Sequence, residues 1–183
     1  SVSLSSDGTI VAIGAYKNDG ENGTDSGHVR VYEYQSSDES WNQLGNDIDG
    51  EADYDYSGYS VSLSSDGNMV AIGAYSNDGN GTNAGHVRVY QNNNGSWTQL
   101  GQDIDGENSG SQSGFSVSLS SQGNMVAIGA PNNNGNGTYS GHVRVYENNN
   151  GSWTQIGQDI NGEASYDYSG QSVSMSSDGN IVA

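Results

Sequence analysis

One segment of eight residues governs what this chain can fold into, because it returns. Ser1-Val2-Ser3-Leu4-Ser5-Ser6-Asp7-Gly8 recurs at residues 60–67, at 116–123 with Gln122 for the aspartate, and at 172–179 with Met175 for the leucine, at spacings of 59, 56 and 56 residues. His28, His86 and His142 follow at 58 and 56, and Trp41, Trp97 and Trp153 at 56 and 56, so the three extra residues of the first unit belong to loops. Self-similarity at such a period marks a repeat architecture, in which one unit is too small to bury its apolar surface and must stack on its neighbours. The expected units are 1–59, 60–115, 116–171 and a partial fourth, 172–183.

The second unit is the cleanest. Residues 60–64 alternate Ser with Val61 and Leu63, which predicts a strand with one apolar face. Ser65-Asp66-Gly67-Asn68 is turn chemistry, and Met69-Val70-Ala71-Ile72-Gly73-Ala74-Tyr75 is apolar on both parities, as suits a strand covered on both sides. A long polar loop leads to His86-Val87-Arg88-Val89-Tyr90, and Asn93-Asn94-Gly95 then gives a hairpin signal before Ser96-Trp97-Thr98-Gln99-Leu100. The expectation is all-β: four-stranded antiparallel meanders of about 56 residues packed as propeller blades, three plus part of a fourth. Propellers use about four to eight blades, so the chain is expected to be a fragment of a longer repeat protein or a component of a larger assembly.

Charge and composition narrow the function. Four Lys and Arg against 22 Asp and Glu leave a net charge of −18, which argues against a nucleic-acid ligand, since phosphate backbones need cations. Glycine (28) is abundant, proline (1) is scarce and only 31% of residues are hydrophobic, yet the apolar residues cluster as strands do, so the chain reads as ordered. No apolar run is long enough to span a membrane as a helix, and the first residues lack a basic-then-apolar signal. No cysteine is present, which removes disulfides and thiolate metal sites.

Gly129-Ala130-Pro131, preceded by Ser116-Val117-Ser118-Leu119 and Met125-Val126-Ala127-Ile128, resembles the FG-GAP repeat of integrin α-subunit propellers and of many bacterial and algal surface proteins. Gly141-His142-Val143-Arg144-Val145-Tyr146 is similar to that family's next strand. The departures are specific. Ser57-Gly58, Ser113-Gly114 and Ser169-Gly170 stand where the family has Phe-Gly, and Tyr16 and Tyr75 stand at the place of Pro131. The family's Asp-x-Asp-x-Asp-Gly calcium loop is reduced to Ser65-Asp66-Gly67-Asn68, and one carboxylate per turn does not supply six to eight oxygens. The resemblance implies a β-propeller and a surface-recognition role.

Five features are candidates for function. The acidic connection holding Asp47, Asp49, Glu51, Asp53 and Asp55 is the densest source of oxygen ligands and the expected place for any calcium, against its being a solvated crossing between blades. The His/Arg pairs 28/30, 86/88 and 142/144 obey the repeat and are expected to be structural, with each Arg pairing a carboxylate on a neighbouring strand. The tryptophans are expected to pack blade on blade rather than stack on sugars. Tyr54, Tyr56, Tyr166 and Tyr168 vary between units, since residues 110–112 read Gly-Ser-Gln, and are the expected partner contacts together with loops 17–27, 76–85 and 132–141. Asn22, Asn80, Asn94, Asn136 and Asn150 are N-glycosylation sequons, although Asn-Gly is also a preferred turn dipeptide.

Known catalytic motifs are missing, from a nucleophile elbow to a zinc-protease helix or a phosphate loop, so the chain is expected not to be an enzyme. The expected function is an extracellular β-propeller module for surface recognition or adhesion, binding protein or glycan through rim loops. Further repeats of a parent chain, or neighbouring copies, are the expected structural partners. The alternatives are a purely structural tandem repeat of a surface fibre or sheath and, more distantly, a propeller hydrolase or lyase.

Overall fold

The computed structural model describes residues 1–183 and contains fourteen β-strands and no helix, hence no helix long and apolar enough to cross a membrane. The first sheet holds β1 (Val2–Leu4), β2 (Ile10–Ala15), β3 (His28–Gln35), β4 (Ser40–Gln43) and β5 (Ile48–Asp49). The second repeats it with β6 (Ser60–Leu63), β7 (Met69–Ala74), β8 (His86–Asn93), β9 (Ser96–Gln99) and β10 (Ile104–Asp105). The third has β11 (Ser116–Leu119), β12 (Met125–Ala130), β13 (His142–Asn149) and a long β14 (Ser152–Asn161). Neighbouring strands pair antiparallel throughout, giving an all-β, β-propeller-like stack of three sheets.

One element goes beyond the four-stranded expectation. After the fourth strand the chain folds back onto the third, pairing Ile48 with Val29 and Asp49 with His28, and Ile104 with Val87 and Asp105 with His86. In the third sheet the same fold-back is continuous with β14, where a register shift between Val143 and Val145 still brings Ile160 opposite Val143 and Asn161 opposite His142. The acidic connection therefore begins as sheet and lies directly beside the histidines.

The cores lie between sheets. Ala12, Val29, Val31 and Ile48 of the first sheet pack with Val61, Leu63, Val70 and Ile72 of the second. Met69, Ala71, Val87, Val89 and Ile104 from the second pack with Val117, Leu119, Val126, Ile128 and Trp153 of the third. All six residues of β7 are buried, as its apolarity on both parities predicts. At about 25 cal/mol per Å² of apolar surface, a sheet this small gains little alone and depends on its neighbour.

The serines of the inner strands link the sheets. The amides of Val61 and Leu63 donate to Ser1 Oγ and Ser3 Oγ at 3.2 and 2.9 Å, Leu119 N to Ser62 Oγ at 3.0 Å, and Met175 N to Ser118 Oγ at 3.0 Å. A serine that alternates with valine and leucine thus satisfies a backbone donor on the next inner strand, while its aliphatic neighbours fill the core. Glycines allow the remaining close approach: a Cβ on Gly129 would run into the Gly170 carbonyl, and one on Gly73 into that of Gly114. The Ser-Gly segment that closes each unit is therefore packed on the Ile-Gly-Ala segment of the same unit.

Candidate functional site

At each sheet the third strand carries a histidine and, two residues on, an arginine on the same face. In the second sheet His86 is 1% exposed, and its Nδ1 lies 3.7 Å from Asp103 Oδ2 and 3.9 Å from Oε2 of Glu51, which comes from the preceding connection. Arg88 Nη1 meets Glu51 Oε1 at 3.2 Å, and its Nη2 donates to the Asp49 carbonyl at 2.9 Å. In the third sheet His142 Nδ1 lies 3.6 Å from Asp159 Oδ2, Arg144 Nε donates to Asp159 Oδ1 at 3.1 Å, and Arg144 pairs with Glu107. In the first sheet His28 Nδ1 is 3.5 Å from Asp47 Oδ2, and Arg30 pairs with Asp47 through Nη2 at 2.9 Å.

A glutamine four residues before each aspartate fixes its other oxygen. Gln43, Gln99 and Gln155 donate Nε2 to Oδ1 of Asp47, Asp103 and Asp159 at 2.7, 2.6 and 2.7 Å. Oδ2 is left facing the histidine each time. Burial holds the His86 imidazole neutral by pushing its pKa down to about 4, with Arg88 acting in the same direction and Asp103 against both. Burial also lowers that of His142, opposed by Asp159. Arg30 holds the Asp47 carboxyl below the usual carboxylate range, and Asp159 lies low through its bond from Gln155 and the charge of Arg144, against the effect of its own burial. The clusters of the second and third sheets join β-elements of one unit to a glutamate of the unit before it, whereas that of the first lies within its own unit.

The second feature is a rim of aromatic rings. The connection after each fold-back runs beside the loop between the second and third strands: Tyr54 N donates to Thr24 O, Gly110 N to Thr82 O and Tyr166 N to Thr138 O, each at 2.8 Å. Tyr56 stacks on Tyr75 with ring centroids 5.5 Å apart, and Tyr16, Tyr59 and Phe115 extend the group edge-on or tilted. Tyr168 stacks on Tyr139 at 5.8 Å, with Tyr166 beside them. Tyr54 and Tyr166 are 55% and 63% exposed. All four rim tyrosines named from the sequence have positive φ: 62° at Tyr54, 56° at Tyr56, 69° at Tyr166 and 52° at Tyr168.

The five acidic candidates are sent to different places. Asp47 and Asp49 gather around His28, beside an open cleft of about 620 Å³ that Asp19 and Glu21 also line. Glu51 crosses to His86, Asp53 Oδ1 accepts from Thr24 N at 2.6 Å, and the buried Asp55 accepts from Ala52 N and from Asn77 Nδ2 at 2.9 Å. Burial raises the Asp55 pKa despite those bonds. Three sequons use the nitrogen that a glycan would occupy: Asn22, Asn80 and Asn136 donate Nδ2 to the carbonyls of Gly50, Gly106 and Gly162. Asn94 and Asn150 sit exposed at hairpin tips with φ of 55° and 53°. Two tryptophans pack sheet on sheet as expected, Trp97 Nε1 donating to Leu44 O at 2.8 Å and Trp153 Nε1 to Leu100 O at 2.7 Å. Sequence reasoning saw each histidine as a strand residue and missed its grouping with two carboxylates. The available signal was the shared spacing of His, Asp and the Glu of the previous unit.

An FG-GAP repeat model matches residues 48–90, in agreement with the resemblance read from the sequence. No curated protein matches the chain. Among solved structures the chain is similar to a candidate 6-phosphogluconolactonase from Bacteroides fragilis, at 14% identity and a TM-score of 0.59, covering 90% of this chain and 40% of that one. It is similar to Sqt1 of Saccharomyces cerevisiae at 16% identity and a TM-score of 0.54, covering 86% and 34%, and to a protein from Lactobacillus plantarum at 16% and 0.53, covering 90% and 43%. The chain thus spans well under half the length of these structures. One expectation is corrected here. The expectation that the chain is not an enzyme, drawn from its missing linear motifs, does not hold, because the same architecture occurs in a protein that bears an enzyme's name.

Proposed function

We propose that this FG-GAP-type stack is an extracellular recognition module that binds a protein or glycan at a cell surface through its tyrosine rim. The conformation of the rim tyrosines carries the reading. A non-glycine residue in the left-handed region costs on the order of 1 kcal/mol, and such strain gathers where a side chain serves a ligand. The backbone itself does not require tyrosine, because Gly110 takes φ 78° at the place of Tyr54 and Gln112 takes 56° at that of Tyr56. What tyrosine adds is a rigid amphipathic ring, half or more exposed at Tyr54 and Tyr166, of the kind enriched at interfaces.

Replacement of Tyr54 and Tyr166 by glycine, the residue of the second unit, tests this without burdening the backbone. Attachment of the protein to cells, or to arrayed glycans and surface proteins, is expected to fall at least about tenfold with no fall in melting temperature. Unchanged attachment overturns the reading. The same preparation is assayed against 6-phosphogluconolactone, the substrate that the name of the Bacteroides fragilis protein implies, and turnover would replace recognition with catalysis.

A second reading is a structural tandem repeat of a fibre or sheath, in which further repeats pack on the outer faces of the stack. Val2, Leu4 and Ile13 at one end and Ile160 and Ile181 at the other are 43–68% exposed. Neighbouring units in a fibre would cover them, and regular arrays under the electron microscope would establish it.

A further inference from the structure

We propose that Glu107, His142 and Asp159 form a binding site for a divalent transition cation of the zinc class, one that staples the third sheet to the connection leaving the second. His142 is 3% exposed, and its Nδ1 is buried with no hydrogen-bond partner. An orphaned buried nitrogen costs about 1–3 kcal/mol, so the site calls for a group that satisfies it. One imidazole nitrogen and one oxygen from each carboxylate lie within 4.8 Å of one another.

The spacing distinguishes a cation from an ordinary ion pair. Nδ1 and Asp159 Oδ2 are 3.6 Å apart, beyond the roughly 2.7–3.2 Å of a hydrogen bond. Two ligands on a tetrahedral ion with bonds of about 2.0–2.1 Å stand roughly 3.3–3.5 Å apart, which a small contraction reaches. The remaining oxygens are already committed: Asp159 Oδ1 to Gln155 and Arg144, and Glu107 Oε1 to Arg144. Such outer partners leave Asp159 Oδ2 facing the imidazole, as is usual around bound metals. Counting Arg144, the cluster keeps one net negative charge. One nitrogen and two oxygens suit zinc and its neighbours, whereas calcium wants six to eight oxygens. Three protein ligands leave the fourth position to water.

The second sheet repeats the arrangement, with Glu51 and Asp103 at 3.9 and 3.7 Å from His86 Nδ1. In the first sheet the third ligand is Asp49, from the same unit, and the cluster bridges nothing. The inference stands apart from the proposed recognition role, since the cations would join sheets rather than touch the rim.

The chelator-treated chain is titrated with cobalt(II), whose visible absorption reports tetrahedral nitrogen and oxygen ligation, and then with zinc(II). Saturation at about two cations per chain, displacement of cobalt by zinc, and a melting temperature raised by several degrees with zinc but not with equal calcium are expected. Glu107→Gln, whose side chain is 43% exposed and should leave the fold intact, and His142→Gln should each weaken the third-sheet site at least about tenfold. Circular dichroism checks that each variant folds. Absence of a stoichiometric cobalt spectrum in the unaltered chain, or undiminished binding in folded Glu107→Gln, overturns the proposal in favour of a water-bridged ion-pair cluster.

Discussion

His86 and His142 are buried as neutral imidazoles beside paired carboxylates, and this gives them a consequence in acid. A histidine whose folded pKa is depressed contributes stability that is fully present above its unfolded value, near 6.5, and is lost as pH falls through the window down to its folded value. For His86 that window runs from 6.5 to about 4. Urea unfolding of the chelator-treated chain should therefore lose on the order of 2–3 kcal/mol between pH 7 and pH 4.5, and His86→Gln should flatten part of that slope. A pH-independent midpoint across this range would show that the histidines are not held neutral. Asp47 and Asp159, held low, add their own loss only below the usual carboxylate range.

Strands and turns follow closely from local pattern. Ser-Val-Ser-Leu alternation gave the inner strands, apolarity on both parities gave the central one, and Asn-Gly placed the hairpins after β8 and β13. The fold-back strand was not legible, because two residues such as Ile48-Asp49 are too short for any periodicity and sit among turn-forming Asn and Asp. That omission hid the histidine clusters as well: only the fold-back brings Asp47 under His28, and only the stacking brings Glu51 to His86. The glycine pairs are the converse case, visible as Ser-Gly and Ile-Gly-Ala in the sequence but intelligible only once the end of each unit has folded back on its second strand. Gly129→Ala should destabilise the chain by about 1–3 kcal/mol in urea titrations, since its Cβ must displace the Gly170 backbone. Gly151→Ala, with nothing near the added carbon but a φ of 88°, should cost less, about 1 kcal/mol.

Because the stack buries its core between sheets, equivalent residues are not equivalent in energy. Trp153 is 4% exposed within the second core, whereas Trp41 is 46% exposed on the first sheet, where its ring lies beside that of Tyr34. Trp153→Ala is expected to cost about 3–5 kcal/mol and Trp41→Ala no more than about 1 kcal/mol. Equal losses in denaturant titrations would mean that the first sheet is covered in solution by something more than solvent. Arg30 tells the same story beside Arg88 and Arg144, its side chain 44% exposed against 7% and 10%.

At the rim, one backbone shape is held by amide bonds to the adjacent loop whether the side chain is Tyr54, Gly110 or Tyr166. The scaffold and the surface it displays are thus mechanically decoupled: rings can be added, removed or exchanged there one at a time, and the sheets beneath need not be re-fitted. A molecule assembled this way can change what it contacts by point substitution while keeping its interior untouched.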